Sequence, residues 1–340
     1  MKKQNILKKL CCVGLALTML LGLMAGCGQE TAAPAESAGT AEEAQASYRV
    51  AIVQLVDNNA FTEMIEAFEG KMRDLGYTED QMTFDVKNAQ GDMSTLNTIS
   101  AELKNAGYDL IVSIVTPATQ AVVNQGLDTP VVFISVTDPV GAGIMSALDS
   151  PDKNATGTSN IVPVDQIFKL ADTLTPGVRN IGVLYCSGEK NAVQTVEKAK
   201  AFFDENGYTY QETTVASSAE VQQAAQSLAA SGVDAIYVPI DSTVQSAMAQ
   251  VVEAANNAGI PVYGSDPVMV QSGALACVSV SNTQLGQRSA EMADEILKGK
   301  AVSEVPAEAM SEYQYVVSKA AADTLGITLP DDGSVAIIGG

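Results

Sequence analysis

Apolar runs and amphipathic stretches alternate along most of this chain. Arg49 to Val56 (RVAIVQLV) is β-branched and nearly free of polar interruptions, the pattern of a strand covered on both faces. Asn59 to Leu75 follows, with Phe61, Ile65, Phe68 and Met72 spaced as one helix face. Asp109 to Val115 and Pro130 to Val136 are further apolar strands, each preceded by a helical stretch. Strand and helix in alternation predict an α/β fold with a parallel sheet and helices on both faces.

The second half repeats the first. Val50-Ala51-Ile52-Val53 matches Ile181-Gly182-Val183-Leu184, and Asp109-Leu110-Ile111-Val112 matches Asp234-Ala235-Ile236-Tyr237. Thr129-Pro130-Val131-Val132 matches Ile260-Pro261-Val262-Tyr263, and Thr137-Asp138-Pro139-Val140 matches Ser265-Asp266-Pro267-Val268. The offset stays between about 125 and 131 residues, so the chain is expected to form two similar α/β lobes rather than a solenoid.

The N-terminal region has a different pattern. Lys2, Lys3, Lys8 and Lys9 precede the charge-free run Leu10–Leu23, which is shorter than the roughly 20 residues a spanning helix needs. Ala25 and Gly26 then precede Cys27. This is a secretory signal layout over residues 1–26, and its end resembles the lipobox of bacterial lipoproteins, in which the cysteine is acylated. An ordinary cleaved signal or an uncleaved anchor is the alternative. Residues 27–47 are small, acidic and poor in large apolar side chains, as expected of a disordered tether.

Charge and composition narrow the function. Removing residues 1–26 removes four of the 19 Lys and Arg and none of the 40 Asp and Glu, leaving a net charge of −25. Such a surface disfavours nucleic acid and anionic lipid head groups. The chain has no His, which removes the commonest general base, the commonest metal ligand and every Ser-His-Asp arrangement. There is no nucleophile elbow, no phosphate-loop lysine motif and no zinc spacing, so neither catalysis nor a metal or cofactor is expected. Paired carboxylates such as Asp138 and Asp266 are the one acid/base arrangement left to an enzyme reading. Cys186 and Cys277, the body's two cysteines, are expected to be buried free thiols.

Several segments together resemble one family: Asn88-Ala89-Gln90-Gly91-Asp92, Thr116-Pro117-Ala118, Val136 to Val140, Gly157-Thr158-Ser159, Gly273 to Ala276, and Leu285-Gly286 with Ala293, Ile296, Leu297 and Gly299. They look like the ABC-transporter substrate-binding lipoproteins whose characterised members bind tryptophan, phenylalanine or tyrosine. The resemblance spans residues 48 to about 330. It implies the type I periplasmic-binding fold: two doubly wound lobes, three hinge crossings and a ligand in the cleft. By analogy, residues 48–160 plus about 284–300 form lobe 1, and residues 161–283 plus about 301–335 form lobe 2. It further implies a monomer, lipid-anchored outside the bacterial cell membrane, that delivers an amino acid to an ABC permease and its ATPase. A ligand sensor of the same fold without a transporter, or a carrier for a branched-chain amino acid, nucleoside or sugar, fits the same architecture.

Candidate ligand-binding residues follow from strand ends, because ligands bind parallel sheets beyond their carboxyl edges. Thr116, Pro117, Ala118 and Thr119 follow one strand; Thr as cap and Pro in the first turn would aim helix amides at a ligand carboxylate, or simply start a helix. Asp138 and Asp266, the latter after Ser265, each precede a Pro; one is expected to take a ligand ammonium, with Asp266 favoured, and the other to cap its own turn. Asp241 with Ser242, and Glu189 with Asn191, sit at equivalent edges of the second lobe. Relatives often carry Asn where Ser242 stands. Asp57, Asn58 and Phe61 follow the first strand, where relatives commonly have an acidic residue, a His and a Leu; Phe61 is either a wall for a ring or core. Gln90 and Asn88 line the cleft or shape a turn.

Overall fold

The computed structural model describes residues 47–339. The expected signal segment, the lipidation site Cys27 and nearly all of the expected tether lie outside the described residues.

The first lobe starts with β1 (Tyr48–Gln54), α1 (Asn59–Asp74), β2 (Met82–Asn88), α2 (Met93–Glu102), β3 (Leu110–Ile114), α3 (Val115–Val123), β4 (Val131–Val136) and β5 (Ala155–Asn160). The second continues with α4 (Val164–Leu174), β6 (Asn180–Cys186), α5 (Lys190–Asn206), β7 (Thr209–Val215), α6 (Val221–Ala230), β8 (Ala235–Tyr237), α7 (Ser242–Gln245), α8 (Met248–Ala258), β9 (Val262–Tyr263), α9 (Pro267–Gln271) and β10 (Ala276–Val280). Then come α10 (Asn282–Leu297), β11 (Glu308–Met310), β12 (Tyr313–Ser318), α11 (Lys319–Leu325) and β13 (Ala336–Ile338).

One sheet has the order β11-β5-β4-β3-β1-β2 and is parallel throughout; the other is β13-β12-β10-β9-β8-β6-β7, with β12 antiparallel to β10. Counted from its own first strand, each lobe has the doubly wound order 2-1-3-4-5. The repeated segments occupy equivalent places, β1 and β6, β3 and β8, β4 and β9. Even a detail recurs. Asp109 accepts from the Arg49 amide at 2.7 Å and Asp234 from the Arg179 amide at 2.9 Å, tying neighbouring strand starts together in both lobes.

The chain changes lobe after β5, after β10 and after β11. Helix α10 returns to pack on α1, β4 and β5, and Gly286 permits this closeness: a Cβ there would meet the Met64 carbonyl. The expected lobe boundary at 301 shifts. Val302 and Val305 join the lobe 1 core, and β11 pairs with β5 through Glu308–Met310, so lobe 1 extends to residue 310. That short strand has little apolar periodicity of its own, and tertiary pairing decides its side. Strands β1, β3 and β4 are buried along almost their whole length, as two-sided helical cover demands. Cys186 and Cys277 are free and buried.

Candidate ligand-binding cleft

In a doubly wound sheet the crevice opens between the first and third strands, where connections diverge to opposite faces. Here those are β1 and β3 in lobe 1, and β6 and β8 in lobe 2. The carboxyl ends of all four carry the sequence-predicted residues. The two edges face each other, with α3 against α5 and α1 against α9.

At the lobe 1 edge, the helix after β3 begins two residues earlier than expected. Val115 has φ +58°, an unusual conformation for a β-branched residue, and α3 starts there with Ile114 as N-cap and no capping side chain. Thr116 is therefore not a cap but lies inside the first turn, because the strained residue turns strand into helix without a linker. Thr116 is 1% exposed and its Oγ1 makes no hydrogen bond within the protein. The first-turn amides of α3 lack a side-chain cap and carry the positive end of the helix dipole. Pro117 and Ala118 are buried in that turn, and Thr119 Oγ1 bonds Val115 O and Ser113 Oγ, both at 2.8 Å.

Lobe 2 is the electrostatic opposite. Glu189, 3% exposed, accepts from the amides of Ser242 and Thr243 at 2.9 and 2.8 Å. Asp241, fully buried, accepts from Val244 at 2.8 Å and from the Cys186 amide at 2.5 Å. The amides at the start of α7 are thus saturated by two carboxyl groups. Burial, reinforced by the neighbouring Glu189, pushes the Asp241 carboxyl well above the usual range. Asn191 donates Nδ2 to Ile240 O at 2.8 Å, which leaves its buried Oδ1 as an acceptor without a partner.

Asp138 and Asp266 both cap their own loops. Asp138 Oδ1 accepts from Gly141 at 2.8 Å and Asp266 Oδ1 from Val268 at 2.8 Å. Asp266 differs in depth: it is 3% exposed, and burial raises its carboxyl to about 6. Asn282 donates weakly to it at 3.4 Å and to Glu63 at 3.1 Å, leaving Asn282 Oδ1 buried and unpartnered beside it. Ser265 Oγ bonds Val238 O at 3.1 Å, under the same loop.

Asp57 and Asn58 meet Gln245 and Ser246 across the lobes around a cavity of about 230 Å³. Phe61 is 3% exposed within the lobe 1 core, beside Met64 and Phe68. Gln90 is exposed, and its amide bonds Asn88 Oδ1 at 2.8 Å, shaping the turn after β2. Sequence reasoning missed Thr137, Gln194, Gln245 and Asn282, each with a buried side-chain atom lacking a partner. Gln194 lies one helical turn from Asn191, a spacing that could have pointed to it; the others are single polar residues without a distinguishing pattern. No group of three or more His, Cys, Asp or Glu able to hold a metal occurs among the described residues.

The family profile "ABC transporter substrate binding protein" matches residues 49–336. The chain belongs to this family. A tyrosine-binding protein of Clostridioides difficile (strain R20291) is 33% identical over 319 residues, covering 94% of this chain and 91% of the relative. The crystal structure of an ABC domain from Streptococcus pneumonia in complex with L-Trp overlays with a TM-score of 0.82 at 33% identity, covering 86% of this chain and 99% of that one. A ligand-free, open substrate binding protein with adhesive properties from Clostridium difficile overlays with a TM-score of 0.66 at 32% identity, with the same coverages. Family members are extracytoplasmic solute binders rather than enzymes. No helix among the described residues is long and apolar enough to cross a membrane.

Proposed function

We propose that this protein is the extracytoplasmic, Cys27-anchored binding lipoprotein of an ABC importer, a monomer that closes on an aromatic α-amino acid and delivers it to a permease. The observation that carries the reading is the polarity of the cleft. Lobe 1 offers uncapped α3 amides and the Thr116 hydroxyl, which suit a carboxylate. Lobe 2 and the adjoining crossing offer the Asp266 carboxyl and the Asn282 and Asn191 amide oxygens, which suit an ammonium group. Buried polar atoms are ordinarily hydrogen-bonded, and a zwitterion bridging the lobes would satisfy both sets at once. Such a ligand also favours closure, because only the closed form brings both sets to it. The aromatic side chain rests on the relatives that bind tyrosine and L-Trp.

A thermal-shift screen of the purified protein against amino acids, nucleosides and sugars tests this. An aromatic amino acid at 100 times its Kd is expected to stabilise by about 2.7 kcal/mol. Stabilisation by a sugar or nucleoside alone would refute the amino-acid reading.

A further inference from the structure

The internal duplication places equivalent residues at the two seams between the lobes. Glu63 and Gln194 are each the fifth residue of the helix that follows the first strand of their lobe, α1 after β1 and α5 after β6. They keep the spacing that relates Val50 to Ile181. Each faces the repeated Asp-Pro loop of the other lobe. Glu63 Oε2 accepts from Asn282 Nδ2 at 3.1 Å, and the same nitrogen reaches Asp266 Oδ1 at 3.4 Å. Gln271, at the end of α9, donates Nε2 to Glu63 Oε1 at 3.4 Å. At the other seam, Gln194 Nε2 and Asp138 Oδ2 come from opposite lobes into the space that a Cβ on Gly141 would fill.

Equivalent positions thus carry opposite chemistry. Gln194 brings an amide donor to a carboxylate, a pairing that is attractive without a third group. Glu63 brings a carboxylate to within two hydrogen bonds of another carboxylate, with one amide nitrogen between them. Val268, two residues on from Asp266, is 4% exposed and sits in the lobe 1 core, so this seam is closed over Asp266. Poor solvation there strengthens the repulsion between like charges. Burial first, and then the Glu63 charge, raise the Asp266 carboxyl. The Cys277 thiol of β10 also lies near Asp266, and burial keeps it neutral, so it supplies no counter-charge.

We infer that Glu63 makes closure conditional on positive charge: its seam closes stably only when a cationic group of the ligand sits at Asp266, whereas the Gln194 seam closes whatever the ligand's charge. This rests on the amino-acid reading above and adds how the cleft rejects solutes that lack an ammonium group. Such a solute would leave two like charges facing each other across the seam, a repulsive element built against the wrong ligand. Glu63 acts through Asn282 and Asp266 and is therefore a positioning residue.

Small-angle scattering and calorimetric titration of the purified protein provide the test, using the parent, Glu63→Gln and Gln194→Glu. The probes are whichever of L-tyrosine and L-tryptophan binds more tightly, and its des-amino analogue, which keeps the ring and the carboxylate. Glu63→Gln keeps an oxygen for Asn282 and removes the charge. Its ligand-free scattering is expected to shift toward the compact, ligand-bound form of the parent. Its preference for the amino acid over the analogue is expected to narrow about tenfold. Gln194→Glu places like charges at both seams and is expected to weaken amino-acid binding about tenfold. A Glu63→Gln variant as extended as the ligand-free parent, or one that loses affinity for both probes alike, would overturn the inference while leaving an amino-acid carrier intact. Binding of neither amino acid, with some other solute binding, would overturn the function proposed above as well.

Discussion

Asp266→Asn is expected to weaken amino-acid binding by 100-fold or more while leaving the ligand-free protein at least as stable at pH 7. The two effects have one cause. Asp266 is buried, its nearest charged neighbour named above is the like-charged Glu63, and its carboxyl is raised to about 6. A ligand ammonium would supply the missing positive charge. Removing one partner of such a buried pair typically costs about 2–5 kcal/mol in binding. Asn retains an oxygen for the Val268 amide, so the α9 cap survives. The pH dependence follows from linkage. Between about 4 and about 6 the folded, ligand-free protein holds a proton here that the unfolded chain has released, so stability falls as pH rises through that window and levels off above it. Ligand affinity runs the other way, because the ammonium needs the carboxylate. Titrations at pH 7 and pH 5 are expected to show about tenfold weaker binding at pH 5, and the Asn variant is expected to lose that dependence. Unchanged affinity in Asp266→Asn would remove this residue from the ammonium site.

Gly157→Ala is expected to destabilise the fold by about 3 kcal/mol or more. Gly157 pairs with Phe133 where β5 meets β4, at φ +150°, and an added Cβ would overlap the Phe133 carbonyl. That carbonyl also accepts from Ser289 of α10 at 3.1 Å, so displacing it would disturb the helix that returns from lobe 2. Gly70→Ala is the contrasting case: it lies within α1, with nothing within 4 Å of the new methyl group, and is expected to stabilise by about 0.5–1 kcal/mol. Urea unfolding of both variants measures the difference. An unchanged midpoint for Gly157→Ala would show that the β4–β5 pair can separate freely.

The placement of the candidate residues was legible in the sequence. Asp57, Thr116, Glu189, Asp241 and Asp266 all stand just past apolar runs, and parallel topology brings such positions to one edge of each lobe. What could not be read was how each side chain is used. Thr116 reads as a cap, yet Val115 takes the strained turn and frees the hydroxyl. Glu189 reads as a separate edge residue, yet it saturates the α7 amides from 53 residues away. Gln245 carries no local signal, because a glutamine in a short helix looks like any solvated surface residue until another lobe covers it.

The sequence by itself determined the strand–helix alternation, the internal duplication and hence the two doubly wound lobes. Those depend on local hydrophobic periodicity, and each lobe buries its runs in the same order. Only the tertiary structure decided which lobe takes β11, which buried polar atoms lack partners, and how donors and acceptors divide across the cleft. These are properties of contacts between segments distant in sequence, and the free energy of a buried polar atom depends on what packs around it rather than on its neighbours in the chain.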